Sequence, residues 1–403
     1  MTIGIDIRVL ARGTRTGIEE YVLNLLPRLL PLDRSIKYKL FYNAFKKVKL
    51  DYSWLKLPNV ELKEFNIPNR ILDFFSQIFK WPKIDRFLGE IDIFFSPHFL
   101  PASLSKQCKR VITFHDLSFV HHPQFFSFSR KLWHFLTFPK KQAKKADKIF
   151  TDSQSTKDDL VKIYGINPAK INVVYLGVKN DFRPLKKNAT CFRRTRKIYG
   201  LPENFILYFG TIEPRKNLIS VIRAFENLKE KLSKPHLETV WRGFEGEVIG
   251  KKKSIFNDLK LVIAGAKGWL YRDILNKVNN SKFKNDIIFT GMIEDKDKPY
   301  LYNLADVFVY PSFFEGFGFP PLEAMACGVP TIVSNTSSLP EVVENGAIMI
   351  DPYNIDELAL AIKEILEDKN LRENLIRNGI KQAKKFNWEK TAEEVLKALK
   401  ELK

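Results

Sequence analysis

Short runs of β-branched and aromatic residues alternate along the chain with longer stretches in which apolar residues recur every three or four positions. That alternation is the pattern of βαβ units, in which parallel strands are buried on both faces and helices cover them. In the first half, strands are predicted over 2–10, 38–43, 60–66, 92–96, 110–114, 148–153 and 171–175. Helices are predicted there over about 17–30, 71–79, 129–145 and 155–164. In the second half, strands are predicted over 205–210, 260–264, 287–290, 307–310, 331–334 and 347–350, with helices beginning near Asn217, Trp269, Lys298, Pro320, Leu339 and Ile355. Between the two sets, Leu176 to Pro202 is polar, irregular and interrupted by proline, the composition of a linker.

The chain therefore reads as α/β, with doubly wound domains over 1–182 and 203–386 joined by a linker over 183–202. A last segment, 387–403, places Trp388, Ala392, Val395, Leu396 and Leu399 on one helix face. Residues 234–258 are polar and carry no strand pattern, and are expected to be an insertion away from the chemistry. Open parallel sheets bind ligands beyond the carboxyl ends of their strands. The loops that matter are then those after Leu10, Phe114, Gly210, Ala264, Thr290 and Tyr310.

At 403 residues and 45% hydrophobic, the chain is too apolar to be disordered or fibrous. Cys108, Cys191 and Cys327 are widely spaced and form no CxxC, which argues against a disulfide framework or zinc site and for a reducing compartment. No apolar run approaches the roughly 18 residues of a spanning helix. The opening MTIGIDIRVL keeps Asp6 inside its apolar stretch and reads as a strand, not a signal peptide. A cytoplasmic protein is expected.

Charge changes this picture. The formal net charge is +20, and residues 1–200 hold 37 Lys and Arg against 17 Asp and Glu, while the remainder holds 29 of each. All of the excess lies in the first half, where it would attract anionic surfaces or polymers. Two basic stretches there are also rich in rings. One places Phe74, Phe75, Phe79 and Trp81 beside Arg70, Lys80 and Lys83; the other places Phe125, Phe126, Phe128, Trp133, Phe135 and Phe138 among lysines up to Lys145. Two readings stand side by side: a segment lying in an anionic membrane interface, and an amphipathic core helix with a solvated basic face. Nucleic acid is a weaker third reading, since no helix-turn-helix, zinc-finger or RNA-recognition signature accompanies the charge.

The segment 311–335, PSFFEGFGFPPLEAMACGVPTIVSN, carries the most chemistry. A strand ends at Tyr310, the loop Glu315-Gly316-Phe317-Gly318 follows, and a helix begins near Pro320 and contains Glu323. Glycines let backbone amides approach a ligand, and a helix start offers unpaired N–H groups to phosphate oxygens. Two carboxylates eight residues apart can accept hydrogen bonds from different hydroxyls of a polyol. Arg215 and Lys216 follow another strand and suit a diphosphate, arginine as a bidentate fork and lysine as a point charge. His98, His121 and His122 have no metal-ligand spacing.

EGFGFPPLE followed by AMACGVP resembles the E-x7-E signature of the retaining nucleotide-sugar glycosyltransferases of family 4, which have the GT-B fold. SSLPEVVENGA and TGMIEDKDKPYLYNLADVFVYPS are most similar to the mannosyltransferase-type branch, and the match is dense from Phe205 to Pro352. The resemblance implies two Rossmann-like domains facing a central cleft, acceptor-binding first and donor-binding second, with the C-terminal helix crossing back to the first. It implies that Glu323 binds the donor ribose and that Glu315, with Gly316, faces the donor sugar. The amides of Phe317 and Gly318 would approach the sugar hydroxyls, Arg215 and Lys216 would neutralise the diphosphate, and His115 would reach the sugar near C6. Gly17 would lie near the phosphates, and Gly265, Gly291 and Met292 near the base. The family often has a second glycine and a basic residue in the first loop, where this chain has Thr16 and Glu20.

The expected activity is retaining transfer of a hexose, mannose from GDP-mannose, onto a glycan or lipid-linked acceptor in cell-surface polysaccharide synthesis. A UDP-hexose donor, glucose or GlcNAc, is the alternative, and a sugar- or nucleic-acid-binding protein without turnover is the competing class. Neither a metal nor a cofactor is expected, nor a nucleic-acid partner. The expected place is the inner face of the cell membrane, reached through the basic first domain.

Overall fold

The computed structural model describes residues 1–12, 16–45, 48–186, 190–233 and 258–402. It divides into two compact units, one of residues 1–179 with 386–403 and the other of residues 180–385. The insertion expected over 234–258 lies, except for Asp258, outside the described residues.

The first unit is built on seven parallel strands: β1 Thr2–Asp6, β2 Lys37–Asn43, β3 Val60–Phe65, β4 Ile93–Ser96, β5 Lys109–Phe114, β6 Lys148–Thr151 and β7 Ile171–Val173. Their spatial order is β3-β2-β1-β4-β5-β6-β7. The inner strands are near-continuous apolar runs, as in IFFS of β4 and VITF of β5, because helices cover both faces. The second unit has six: β8 Phe205–Phe209, β9 Lys260–Ala264, β10 Ile287–Gly291, β11 Val307–Tyr310, β12 Thr331–Ser334 and β13 Ile348–Ile350. Their order is β10-β9-β8-β11-β12-β13, again all parallel. In each unit the order reverses beside the first strand, between β1 and β4 and between β8 and β11. Such reversal points open a crevice at the strand carboxyl ends.

The helix Trp388–Lys400 packs within the first unit against the helix Gly17–Leu29. Trp388, Ala392, Val395 and Leu399 are buried at helical spacing, and Asn387 caps the helix start by accepting from the Glu389 amide at 2.7 Å. Gly177 lies against its first turn so closely that a Cβ there would meet the Trp388 nitrogen at 2.2 Å.

Three expectations are corrected. The linker expected over 183–202 contains a helix, Thr190–Tyr199, that belongs to the second unit and docks on the helix Lys298–Leu304. The Phe192 ring meets Tyr300 edge-on at 5.4 Å, and Tyr199 donates to Asp297 at 2.9 Å. The helix escaped the pattern because it buries only a narrow stripe, Phe192 and Thr195, under a strongly basic surface. The single helix expected over 129–145 is two, Phe128–Thr137 and Pro139–Lys145. Proline opens the second, and Phe138 between them takes a left-handed conformation, φ 47°. Finally, β1 stops at Asp6 and gives way to a 3-10 turn, Arg8–Arg12. There the Arg8 guanidinium, buried, pairs with Asp6 at 2.6 Å and Asp73 at 3.1 Å.

Candidate functional site

In the second unit the loops after β8 and β11 flank the reversal point and supply three interacting side chains. Lys216 reaches one Glu315 oxygen at 2.6 Å, and Arg215 reaches the other at 3.1 Å. Ser312 donates to the lysine-bound oxygen at 2.5 Å, so both carboxylate oxygens are held. Lys216 also donates to the Tyr310 hydroxyl, and Arg215 pairs with the buried Glu213 at 2.9 Å. The backbone around Glu315 is fixed in turn. Its amide donates to Ser337 Oγ at 2.8 Å, and Ser338 donates to the carbonyls of Glu315 and Phe317 at 3.0 Å each.

Burial and mutual contact shift these groups in different directions. Burial alone would raise the Glu315 carboxyl, but Arg215, Lys216 and Ser312 outweigh it and hold its pKa at about 2. Burial pushes the Glu213 carboxyl above its ordinary range despite Arg215, and pushes the Lys216 ammonium down despite Glu315. Two cations thus face two carboxylates at the strand carboxyl ends beside the reversal point, where open parallel sheets bind ligands.

The other expected donor residues of this unit fall into two groups. Gly265 donates its amide to the Gly291 carbonyl at 2.8 Å, and a Cβ on Gly265 would overlap the Gly210 carbonyl oxygen at 2.0 Å. The loops after β8, β9 and β10 therefore meet through backbone, and Gly265, at φ 137°, admits no side chain. Met292 follows Gly291 and is exposed. Gly316 and Phe317 are buried in the loop after β11, and Gly318, at φ 108°, caps the helix Phe319–Ala326. A Cβ on Gly318 would strike Leu339 at 2.7 Å. Glu323, on that helix, is half-buried and accepts from the Tyr302 hydroxyl at 2.9 Å.

His115 and Gly17 belong to the first unit. His115 follows the last residue of β5, and Asp152 follows the last residue of β6; Phe114 and Thr151 pair in register, so the two side chains emerge together. Their separation is 2.6 Å at Nδ1, while Nε2 lies 2.8 Å from the Pro97 carbonyl at the end of β4. Both ring nitrogens face oxygen acceptors, so both donate and the imidazolium is favoured. Burial lowers the His115 pKa, but Asp152 and the Pro97 carbonyl more than offset it, and the net shift is upward. Asp116 instead caps the following turn through Ser118 at 2.7 Å. Gly17 opens its helix with empty space around it, behind the cap Thr16, whose amide donates to Glu19 at 3.1 Å. Glu20 pairs with Lys179 at 2.6 Å, a local role. Gly13 to Arg15 lie outside the described residues.

Sequence reasoning missed Asp152, Glu213, Ser312, Ser337, Ser338, Tyr302 and Tyr310. Only Glu213 carried a usable signal, an acid just past a predicted strand. Among the described residues no three His, Cys, Asp or Glu side chains converge as a metal site.

Comparison with known proteins decides the family. Residues 192–382 match the family described as Glycosyl transferases group 1, and residues 15–182 match Glycosyltransferase Family 4. The chain is 32% identical over 312 residues to the O-antigen chain mannosyltransferase B of Escherichia coli, covering 76% of this chain and 74% of that protein. This chain belongs to glycosyltransferase family 4.

The longer serotype-specific mannosyltransferase WbdA of Escherichia coli is 30% identical to this glycosyltransferase over 248 residues, 62% of the chain and 28% of that protein. The solved structure of a sucrose-phosphate synthase from Thermosynechococcus elongatus aligns over 100% of this chain and 98% of its own, with TM-score 0.74 at 20% identity. The glycosyltransferase has the GT-B fold of two Rossmann-like domains. Among its described residues no helix is long and apolar enough to cross a membrane.

Proposed function

We propose that this glycosyltransferase moves mannose from GDP-mannose, with retention of anomeric configuration, onto a lipid-linked glycan in cell-surface polysaccharide synthesis. The observation that carries the reading is the buried Arg215, Lys216 and Glu315 cluster at the reversal point of the second unit. A mannosyl donor is supported by the relatives, named as mannosyltransferases, one of them for O-antigen chains.

In this reading the donor diphosphate displaces part of the hold that Arg215 and Lys216 have on Glu315. As the bond from C1 to the diphosphate breaks, charge accumulates on the departing phosphate. Arg215 and Lys216 stabilise it in a preorganised way, with no call for a divalent metal. Glu315, low in pKa and tied at both oxygens, is a poor nucleophile and a good acceptor for sugar hydroxyls. The acceptor hydroxyl therefore attacks C1 on the face the diphosphate leaves, and its proton passes to the departing phosphate oxygen. Glu323 takes the ribose hydroxyls, and His115, its two N–H groups held by Asp152 and the Pro97 carbonyl, contributes a fixed positive charge.

A peripheral position on an anionic membrane is supported by the first unit. Around the helix Asn69–Ile78, Phe74, Ile78, Phe79 and Trp81 are each more than half exposed beside Lys80 and Lys83. Rings and cations together suit the headgroup region.

Thermal shift with nucleotides tests the donor. GDP at about a hundred times its Kd should stabilise by about 2.7 kcal/mol, raising the melting temperature by a few degrees, while UDP does little. Replacing both Arg215 and Lys216 by alanine should abolish the response. A response to UDP alone would replace the GDP-mannose reading with a UDP-hexose one.

A further inference from the structure

The first unit carries an open cavity of about 710 Å³. It lies along the broken helix pair Phe128–Thr137 and Pro139–Lys145. Its apolar lining comes from Phe119, Phe126, Phe135, Phe138 and Tyr164, and its charged lining from Lys131, Lys140, Lys141, Lys144 and Lys145. Phe135 is 69% exposed and Phe138 44%, an uncovered apolar floor.

None of these five lysines forms an ion pair with an acidic side chain among the described residues, whereas Lys148 and Lys179 of the same unit pair with Glu401 and Glu20 at 2.7 and 2.6 Å. Instead Lys140 lies over the Tyr164 ring at 5.9 Å and Lys141 over Phe138 at 5.8 Å. The Lys145 ammonium is pushed below its usual range by burial and then by Lys141, Arg110, Lys80 and Lys83. Phe138 holds its left-handed conformation, φ 47° and ψ 56°, at the lip. Outliers of this kind gather at ligand clamps.

We propose that this cavity binds the diphosphate head and adjoining hydrocarbon of one lipid-diphosphate molecule, the carrier of the acceptor glycan. The proposal rests on the lipid-linked acceptor of the function proposed above. A diphosphate presents several negative charges within a few ångströms, which matches converging lysines better than a single phosphodiester does, and charge-assisted bonds of this kind are the strong ones. A concave apolar floor beside those lysines fits a hydrocarbon chain. A bilayer surface needs only the flat, exposed rings of the neighbouring segment, and a nucleic acid would leave the apolar floor unused.

Isothermal titration of the full chain, with GDP saturating so that the donor site is filled, uses farnesyl diphosphate, farnesol and inorganic diphosphate as probes. Farnesyl diphosphate should bind at least tenfold more tightly than either of the others. The combined variant Lys141→Ala, Lys144→Ala, Lys145→Ala should weaken it tenfold or more, while its GDP thermal shift stays that of the wild type and shows the variant folded. Farnesol binding as tightly as its diphosphate, or a variant that binds farnesyl diphosphate unchanged, would overturn the proposal. So would displacement of farnesyl diphosphate by phosphatidylglycerol vesicles at equal lipid phosphate, which would make the lysines a general membrane contact; phosphatidylcholine vesicles serve as control. Loss of GDP-mannose turnover with lipid-diphosphate binding as stated would remove the donor reading and leave the cavity; the reverse would remove the cavity alone.

Discussion

His115 has its ring nitrogens 2.6 Å from a carboxylate and 2.8 Å from a carbonyl, and this pair of acceptors decides its charge. With its pKa raised, the ion pair with Asp152 contributes fully below the ordinary histidine value near 6.5 and is lost as pH rises through the raised value. Asp152→Asn removes the acceptor that outweighs burial, so the His115 pKa should then fall below the ordinary value. NMR titration of the imidazole should show the drop, and the alkaline limb of the pH profile for transfer should move to lower pH with it. An unchanged titration would mean that the Pro97 carbonyl alone holds the proton. The histidine was legible in the sequence through its motif, whereas Asp152 was not, because only the register of β5 with β6 makes neighbours of residues 37 positions apart. Arg215, Lys216 and Glu315 were legible for the opposite reason: each sits in a short, glycine- or proline-marked loop directly after an apolar run. What could not be read was that Glu315 holds both cations, or that buried Glu213 shares Arg215.

Buried parallel strands announce themselves as apolar runs, which is why the thirteen strands lie close to their predicted places. Polar helices do not. Thr190–Tyr199 hides under basic residues, and Lys369–Ala383 buries little more than Leu375, Gly379, Gln382 and Ala383. Neither period nor hydropathy separates such segments from a linker. The helix Trp388–Lys400 is the converse case: its apolar face is plain in sequence, but its partner is not. In the structure it is Gly177, whose missing side chain lets the backbone at Trp388 approach. Gly177→Ala would place a carbon 2.2 Å from that nitrogen and 2.6 Å from the Asn387 carbonyl carbon. Backbone on both sides cannot swing aside, so the variant should lose about 1–3 kcal/mol by denaturant titration, the usual cost of overpacking. A loss under about 0.5 kcal/mol, the range of a neutral surface change, would show that the helix shifts freely.

The chain divides its labour by charge as well as by fold. The +20 excess lies within the first 200 residues, and the exposed rings and unpaired lysines of the first unit give that excess a surface to act on. The second unit concentrates its few buried charges where two strands diverge. In the proposed activity, an anionic lipid surface and an anionic nucleotide would be addressed by separate units, as a soluble donor and a membrane-held acceptor require. The decisive test is proton NMR of the purified glycosyltransferase incubated with GDP-α-mannose and a lipid-linked acceptor, following the anomeric signals as they change. The α signal of the donor should give way to a new α-mannosyl linkage while free GDP accumulates. A β-configured product, or consumption of a UDP-hexose with GDP-mannose left intact, would contradict the proposed activity.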